Sequence, residues 1–277
     1  MTGIERIANA FQPHRTAFMP YAVLGYPTPG ISLQVVQTLV TAGADLLELG
    51  VPFSDPLADG PTIQTATHRA LEQGVTTTDC IAMVARLRDD GVETPALLMG
   101  YVNPVLAYGV DCFVADSAAA GVDGFIVPDL PPEEASELES ACQQRGLALV
   151  YLLGPTSSPE RIALVSQKSQ GFIYLVSLTG VTGARDGLPP GLADFVARVR
   201  AIAHQPLAVG FGIGSGEQAR AVAQLSDGVI VGSALVRCAG QSIEHVRALA
   251  DELREAINMA DGRQQECQKC IPSTGTR

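Results

Sequence analysis

The sequence of 277 residues contains no tryptophan, only two lysines and only four histidines. The histidines, at positions 14, 68, 204 and 245, show no spacing typical of metal ligands, which argues against a metal-dependent enzyme. No apolar run approaches the roughly 20 residues that a membrane-spanning helix requires. The first residues also lack the charged and apolar regions of a secretory leader. We therefore expect a cytoplasmic protein that needs no membrane, although a transit peptide that had been removed would leave no trace.

Positive charge is scarce as well, because the formal net charge at pH 7 is -11. A protein that binds nucleic acid or an anionic membrane needs a basic surface to neutralise phosphates, so we expect neither partner. Six cysteines, mostly at wide spacings, suit reduced thiols rather than a disulfide framework. The exception is "CQKC" at 267–270, where a loose polar tail is favoured over metal or redox chemistry.

Short runs of apolar and β-branched residues recur along the chain and alternate with amphipathic stretches. Each run is almost continuously apolar, as in parallel strands that are covered by helices. Eight strands are predicted: 17–25, 44–51, 95–101, 122–128, 147–153, 171–176, 206–211 and 227–232.

The regular alternation of strand and helix predicts an α/β fold, a (β/α)8 TIM barrel in a single domain. A doubly wound open sheet is the alternative. The stretch 132–146 illustrates the helices, with acids in its first turn and a glycine at its end. We expect the barrel to occupy residues 1–260 and a polar, flexible tail to occupy residues 261–277.

Active sites of such barrels lie at the C-terminal ends of the strands, so polar side chains at those ends are the first candidates for catalysis. Glu48 and Tyr174 fall late in the second and sixth predicted strands, Asp55 and Asp59 follow the second, and Asp129 follows the fourth. Glu48 interrupts an apolar strand, where a carboxylate is costly unless it is paired, neutralised or used. A structural role, satisfied by backbone donors or an arginine, is the alternative for Glu48, and ordinary turn chemistry is the alternative for Asp59.

Glycine-rich sequences end the last two strands, "GFGIGSG" at 210–216 and "VGSALV" at 231–236. Exposed backbone N–H groups and a helix N-terminus there predict a phosphate cradle, with ordinary tight turns as the alternative. The loop 177–191 has the composition of a mobile lid. Lys168 precedes the sixth predicted strand and Lys269 lies in the tail. Neither lysine can therefore supply the amine of a Schiff base at the predicted site. Metal-free acid/base chemistry on a phosphorylated substrate remains.

Six segments resemble the tryptophan synthase alpha subunit family, in order and over nearly the whole chain to about residue 258. The first of them is highly specific to that family, whereas the others are suggestive singly. They read "LELGVPFSDPLADGPTIQ", "LLMGYVNPV", "GFIVPDLPPEE", "FIYLVSLTGVTGAR", "VGFGI" and "DGVIVGSALV". The resemblance implies a (β/α)8 barrel that cleaves indole-3-glycerol phosphate to indole and glyceraldehyde 3-phosphate.

Carried over by motif, the resemblance assigns roles to individual residues. It implies that Glu48 is the principal acid/base and that Asp59 accepts the indole N–H and stabilises the charge of the protonated ring. Tyr174 would line the pocket, and Thr182 would position Asp59 when the lid closes. The remaining implied contacts are Tyr101 and Phe211 for the indole, and Gly183, Gly212, Gly232 and Ser233 for the phosphate.

The resemblance also implies a partner, a beta subunit that carries pyridoxal phosphate, in an alpha2beta2 heterotetramer, with no cofactor in this chain. We expect loops 52–61 and 177–190 to dock it, with Asp55 and Pro56 at the interface. Leu178 departs from the family, since many bacterial members carry arginine there. Two other interpretations stay open: a catalytically silent barrel that acts as an allosteric partner, and a lyase that releases indole on its own.

Overall fold

The computed structural model describes residues 1–177, 190–210 and 212–269, with side chains as far as residue 261. Its helices are α1 Gly3–Ala10, α2 Pro29–Thr41, α3 Pro61–Glu72, α4 Thr77–Asp89, α5 Val102–Tyr108, α6 Val110–Ala119, α7 Ser136–Arg145, α8 Pro159–Lys168, α9 Leu192–Arg200, α10 Gly216–Ala223, α11 Ser233–Ala239 and α12 Ile243–Lys269. Its strands are β1 Ala17–Val23, β2 Leu47–Gly50, β3 Ala96–Met99, β4 Gly124–Ile126, β5 Ala148–Val150, β6 Leu152–Leu153, β7 Ile173–Val176, β8 Leu207–Gly210 and β9 Gly228–Val231.

All strand pairs in the described part of the chain are parallel, in the order β5-β4-β3-β2-β1-β9-β8-β7-β6. Strands β5 and β6, at the two ends of this order, are separated along the chain only by Tyr151. The sheet therefore closes on itself. This confirms the predicted TIM barrel over the open sheet, and the fifth of the eight predicted strands is the one that divides into β5 and β6.

Several helices begin after a residue whose side chain accepts a free backbone N–H of the first turn. Thr28, Thr76 and Ser158 each accept the N–H of the residue three positions later, at the start of α2, α4 and α8. Helix α7 begins at Ser136, four residues later than predicted, because residues 132–134 form a turn in which the Glu134 N–H donates to the Pro131 carbonyl at 3.0 Å. It ends, as predicted, at Gly146, whose φ of 66° suits glycine.

Three aspartates close the end of the barrel at which the strands begin. Each exchanges two hydrogen bonds with a residue at the start of the neighbouring strand: its backbone N–H donates and its carboxylate accepts. The pairs are Asp45 with Phe18, Asp123 with Ala96, and Asp227 with Leu207, at 2.7–2.9 Å. Each carboxylate also binds arginine, so the charge is compensated and the strand register is held at this end.

The last helix contributes to the same end of the barrel. Arg254 of α12 is buried and binds Asp45 at 2.8 Å. Asp261 is also buried and accepts the Thr16 hydroxyl at 2.7 Å and its N–H at 3.1 Å. The first residue of the predicted tail therefore packs with the barrel, and α12 continues to Lys269.

Candidate active site

Glu48 lies inside the barrel, on the inner face of β2. The strand register pairs it with Tyr21 of β1 on one side and with Leu97 of β3 on the other. Only 1% of its surface is exposed, and its Oε2 has no hydrogen-bond partner among the described residues. The structural alternative requires hydrogen-bond donors to both carboxylate oxygens, and the described residues do not provide a donor to Oε2. A buried carboxylate oxygen without a hydrogen-bond partner calls for an explanation, and a catalytic role is one such explanation.

Burial and, to a smaller extent, the negative charge of Asp59 raise the pKa of Glu48 to about 8. Near pH 7 the group therefore keeps its proton. A carboxylic acid with this proton affinity is suited to proton transfer at neutral pH.

Asp59 lies at the end of the loop that follows β2, immediately before Gly60 and the first turn of α3. It is 6% exposed, and its Oδ2 accepts the phenol O–H of Tyr101 at 3.0 Å. Gln64, in the first turns of α3, donates to the backbone carbonyl of Asp59 at 2.8 Å. Burial raises the pKa of Asp59 to about 6, and the Tyr101 hydrogen bond opposes that rise. The side chain is thus held and stays mostly ionised near pH 7.

Glu48 and Asp59 have different environments and therefore different protonation states. Glu48 is buried and its Oε2 accepts no hydrogen bond among the described residues, whereas the Asp59 carboxylate accepts one from the phenol of Tyr101. Such a separation of pKa values divides two carboxyl groups into a proton donor and a charged acceptor.

Besides Tyr101, two more buried tyrosines, Tyr21 and Tyr174, face this pair, and Tyr21 was not identified from the sequence. The Tyr21 ring crosses the inner face of β2 at Gly50, where a Cβ would lie 2.6 Å from its Cζ. Tyr174 crosses Gly210 in the same way, where a Cβ would lie 2.8 Å from Cε1 and Cζ. Burial and the charges of both carboxylates raise the pKa of each phenol well above its usual value. The only sequence signal for Tyr21 is a polar tip in an otherwise apolar strand.

The glycine-rich segments lie at the strand ends, as expected. Gly212 has a φ of 81°, a conformation that favours glycine. Gly232 is the N-cap of α11, Ser233 is its first residue, and a Cβ at Gly232 would lie 3.6 Å from Tyr21. The glycine-rich loop after β9 therefore adjoins the tyrosine that faces Glu48. Leu178, Thr182, Gly183 and Phe211 fall outside the described residues, as do residues 178–189 of the predicted lid 177–191.

The loop between β2 and α3 exposes the side chains predicted to contact a partner. Asp55 is exposed and accepts the Ser54 hydroxyl at 2.5 Å, Pro56 is half-buried, and Leu57 is 90% exposed. The backbone N–H of Asp59 donates to the Pro56 carbonyl at 3.0 Å. The exposed tip and the buried carboxylate thus belong to one short turn.

Other polar residues singled out in the sequence lie away from Glu48 or have structural partners. Asp129 accepts the N–H of Val102 at 2.9 Å and so caps α5. Lys168 ends α8 and binds Glu139 at 2.9 Å. No cluster of three potential metal ligands occurs in the described ranges, and no helix in them is long and apolar enough to cross a membrane. The side chains of Cys267 and Cys270 are outside the described part.

Comparison with known proteins gives one consistent match. A family model described as tryptophan synthase alpha chain matches residues 7–265. The tryptophan synthase alpha chain of Dehalococcoides mccartyi is 48% identical over 92% of this chain and all of the relative. That of Roseiflexus castenholzii is 51% identical over 91% of this chain and 98% of the relative.

Solved structures agree with the sequence relatives. A chain of Mycobacterium tuberculosis tryptophan synthase superposes with a TM-score of 0.86 at 41% identity, over 92% of this chain and 98% of the other. Tryptophan synthase subunit alpha from Legionella pneumophila gives a TM-score of 0.85 at 38% identity, over 94% and 99% of the two chains.

Proposed function

Because the chain belongs to the tryptophan synthase alpha chain family, we propose that Glu48 and Asp59 are the two groups that perform that family's reaction in it. The chain is a carbon–carbon lyase of tryptophan biosynthesis that cleaves indole-3-glycerol phosphate to indole and glyceraldehyde 3-phosphate. Such a cleavage needs a proton for the ring carbon, an acceptor for the hydroxyl proton and stabilisation of the charge on the indole.

In the proposed mechanism Glu48 begins as the neutral acid and gives its proton to the indole carbon that bears the side chain. The resulting carboxylate takes the proton of the adjacent side-chain hydroxyl. The bond between the ring carbon and the carbinol carbon then breaks, its electron pair returns to the indole, and an aldehyde remains. Glu48 ends protonated, so the cycle closes without a metal or an external base. The raised pKa of Glu48, about 8, supports this starting state.

Asp59 is the proposed partner of the indole nitrogen. Protonation of the ring carbon places positive charge on that nitrogen, and a carboxylate that accepts its N–H stabilises the charge. With a pKa raised only to about 6, Asp59 is mostly ionised when Glu48 is still neutral. The observation that carries the proposal is the pair of carboxyl groups in one enclosed site, Glu48 with an unpartnered Oε2 among the described residues and Asp59 held by the Tyr101 phenol.

The other substrate contacts are proposed from the motifs that the chain shares with the family. Tyr174 and Tyr101 line the indole pocket together with Phe211, and Thr182 positions Asp59. The phosphate binds to backbone groups at Gly183, Gly212, Gly232 and Ser233. The N-cap position of Gly232 supports a role in anion binding.

Indole release by purified variants tests the carboxylate roles. Glu48→Gln keeps the shape of the side chain and removes its titrating group, so we expect turnover to fall by about 100-fold or more with little change in ligand affinity. Asp59→Asn should be similarly impaired. Glu134→Gln, at an exposed position on the same protein, is the matched control and should retain turnover. Near-normal turnover in Glu48→Gln would remove Glu48 from its role.

We further propose that the chain acts with a tryptophan synthase beta subunit in an alpha2beta2 heterotetramer. Pyridoxal phosphate belongs to that partner, and no cofactor is proposed for this chain. The exposed turn that carries Asp55 and Pro56 ends at buried Asp59, which supports docking beside the site where indole forms. Asp55→Ala should weaken stimulation of indole release by added beta subunit. Unchanged stimulation in Asp55→Ala, combined with its loss on substitution of the opposite barrel end, would show that the surface is misplaced.

A cytoplasmic location is supported by the unpaired state of Cys80, Cys112, Cys142 and Cys238. The boundary between a lyase domain at 1–260 and a flexible tail at 261–277 stays a prediction, since the family match extends to residue 265 and α12 to Lys269.

A further inference from the structure

Tyr21 is the polar side chain that shares a register position with Glu48. The two residues are opposite one another in the parallel pair of β1 and β2, and both belong to the inner face of the barrel. Tyr21 is 6% exposed. Its ring extends across β2 to Gly50, which follows Glu48 by two residues on the same face. The hydroxyl is therefore held on the strand that carries Glu48.

Gly50 makes this arrangement possible. A Cβ at position 50 would lie 2.6 Å from the Tyr21 Cζ and 2.9 Å from its Cε2, distances that side-chain atoms do not tolerate. Since the backbone of Gly50 is not in the left-handed region, the glycine is explained by the ring rather than by its own conformation. The fold thus accommodates the phenol beside the buried acid.

We propose that Tyr21 is a positioning residue for Glu48, and that its phenol O–H donates to the Glu48 carboxylate in the ionised stage of the reaction. This inference rests on the proposed acid/base role of Glu48. Oε2 of Glu48 has no partner among the described residues, so an acceptor is available. A donor that engages only the carboxylate favours the intermediate stage, in which Glu48 has lost its proton.

The phenol is suited to this task because it remains neutral. Burial, followed by the charges of Asp59, Glu48 and Tyr101, raises the Tyr21 pKa well above its usual value. Tyr21 therefore keeps its proton over the pH range in which Glu48 titrates.

The groups that face Glu48 limit what a pH experiment can report. Tyr21 faces it from β1, Asp59 from the loop after β2 and Tyr174 from β7. The neighbouring position on β3 is the apolar Leu97. Of these groups, Asp59 is the one that titrates below Glu48, so the alkaline limb of activity is the limb to assign to Glu48.

The test is the pH dependence of kcat for indole release in Tyr21→Phe. A donor to a carboxylate stabilises the ionised form, so its loss should raise the Glu48 pKa and move the alkaline limb upward by about one pH unit. We expect kcat to fall by about 10-fold, with KM changed by less than about threefold. Tyr26→Phe removes the same hydroxyl from a tyrosine that packs on Gly240 instead, and it should leave the limb in place.

Each result has a definite meaning. If Tyr21→Phe lowers kcat but leaves the alkaline limb in place, Tyr21 is a packing residue and the proposal is overturned. A shift of the alkaline limb to lower pH would also overturn it. An infrared difference titration of the Glu48 carboxyl, referenced to Glu48→Gln, reports the same shift without turnover. If Glu48→Gln itself released indole at the wild-type rate, the proposed function would fail, and that failure is distinct from the failure of the Tyr21 proposal.

Discussion

Tyr101 connects the loop after β2 to the barrel through its hydroxyl group, which donates to the Oδ2 of Asp59 at 3.0 Å and accepts the N–H of Ala58 at 3.0 Å. The tyrosine is 5% exposed and is the N-cap residue of α5. One side chain therefore holds both the carboxylate and the backbone of the preceding residue. Phe53 packs against its ring, with centroids 5.3 Å apart, which fixes the ring as well.

Tyr101→Phe should impair cleavage through Asp59. The hydrogen bond from Tyr101 lowers the Asp59 pKa, so its loss should raise that pKa above about 6 and move the acidic limb of the activity profile to higher pH. Indole release measured from pH 5 to pH 9 reports the shift. Tyr108→Phe is the control, because its hydroxyl donates to exposed Asp116 at 2.7 Å on neighbouring helices. Superimposable acidic limbs for Tyr101→Phe and Tyr108→Phe would contradict this role.

Glu48 and Asp59 show what sequence reasoning captures about the site and what it misses. A carboxylate in an apolar strand attracts attention wherever it occurs, so Glu48 was identified from its neighbours alone. Asp59 was ambiguous because "ADG" is ordinary turn chemistry. Its burial and its bond to Tyr101 depend on a contact between residues 42 positions apart, which the local pattern does not contain.

Tyr21 was missed for a different reason. Tyrosine is a good strand former and fits an apolar strand without conflict, so its hydroxyl is only a weak signal in "AFMPYAV". Its significance comes from the register of β1 with β2 and from the missing Cβ of Gly50. Register is a property of the closed barrel, whereas the strand and helix alternation that predicts the barrel is local in sequence.

Removal of the Glu48 charge should stabilise the fold at alkaline pH. The Glu48 pKa is 4.5 unfolded and about 8 folded, so between these values the unfolded state releases a proton that the folded state retains. Wild-type stability should therefore decline as pH rises through that window, by up to about 1.4 kcal/mol per unit, and Glu48→Gln should escape this decline.

Urea unfolding of wild type and Glu48→Gln at pH 5 and pH 8.5 measures the effect. The difference in unfolding free energy should favour Glu48→Gln by more at pH 8.5 than at pH 5. Glu134→Gln controls for the loss of one carboxylate at an exposed position. If the difference in unfolding free energy between Glu48→Gln and wild type is the same at both pH values, ionisation of Glu48 does not destabilise the folded state.

Asp123 should stabilise the fold without contributing to cleavage. It is 3% exposed and binds Arg6 at 2.7 Å, Arg88 at 2.8 Å and the N–H of Ala96 at 2.8 Å. Asp123→Asn leaves two arginines without their counter-charge, so we expect a loss of about 3 kcal/mol in unfolding free energy. At a temperature where the variant is folded, its kcat should equal that of wild type.

The control for Asp123→Asn is Asp90→Asn. Asp90 pairs with Arg86 at 3.1 Å on the surface of α4, where an ion pair contributes about 0.5 kcal/mol or less. A loss of kcat in folded Asp123→Asn would show that this end of the barrel influences the site. Equal stability losses for the two variants would mean that burial does not distinguish the pairs.

Gly50→Ala should be destabilising because of Tyr21 and for no other reason. The new Cβ would meet the phenol ring at 2.6–2.9 Å, so the ring has to leave its position across β2. We expect a loss of about 1–3 kcal/mol, typical of an overpacked core, measured by urea unfolding. Gly30→Ala is the matched control, since nothing lies within 4 Å of a Cβ there and the residue lies within α2.

In a Tyr21→Leu background the shorter side chain no longer crosses position 50, so Gly50→Ala should cost much less. The double-mutant cycle isolates this contact, because both residues are changed separately and together. If Gly50→Ala costs the same in both backgrounds, the ring is not what requires glycine at position 50, and the positioning of the Tyr21 hydroxyl beside Glu48 loses its structural basis.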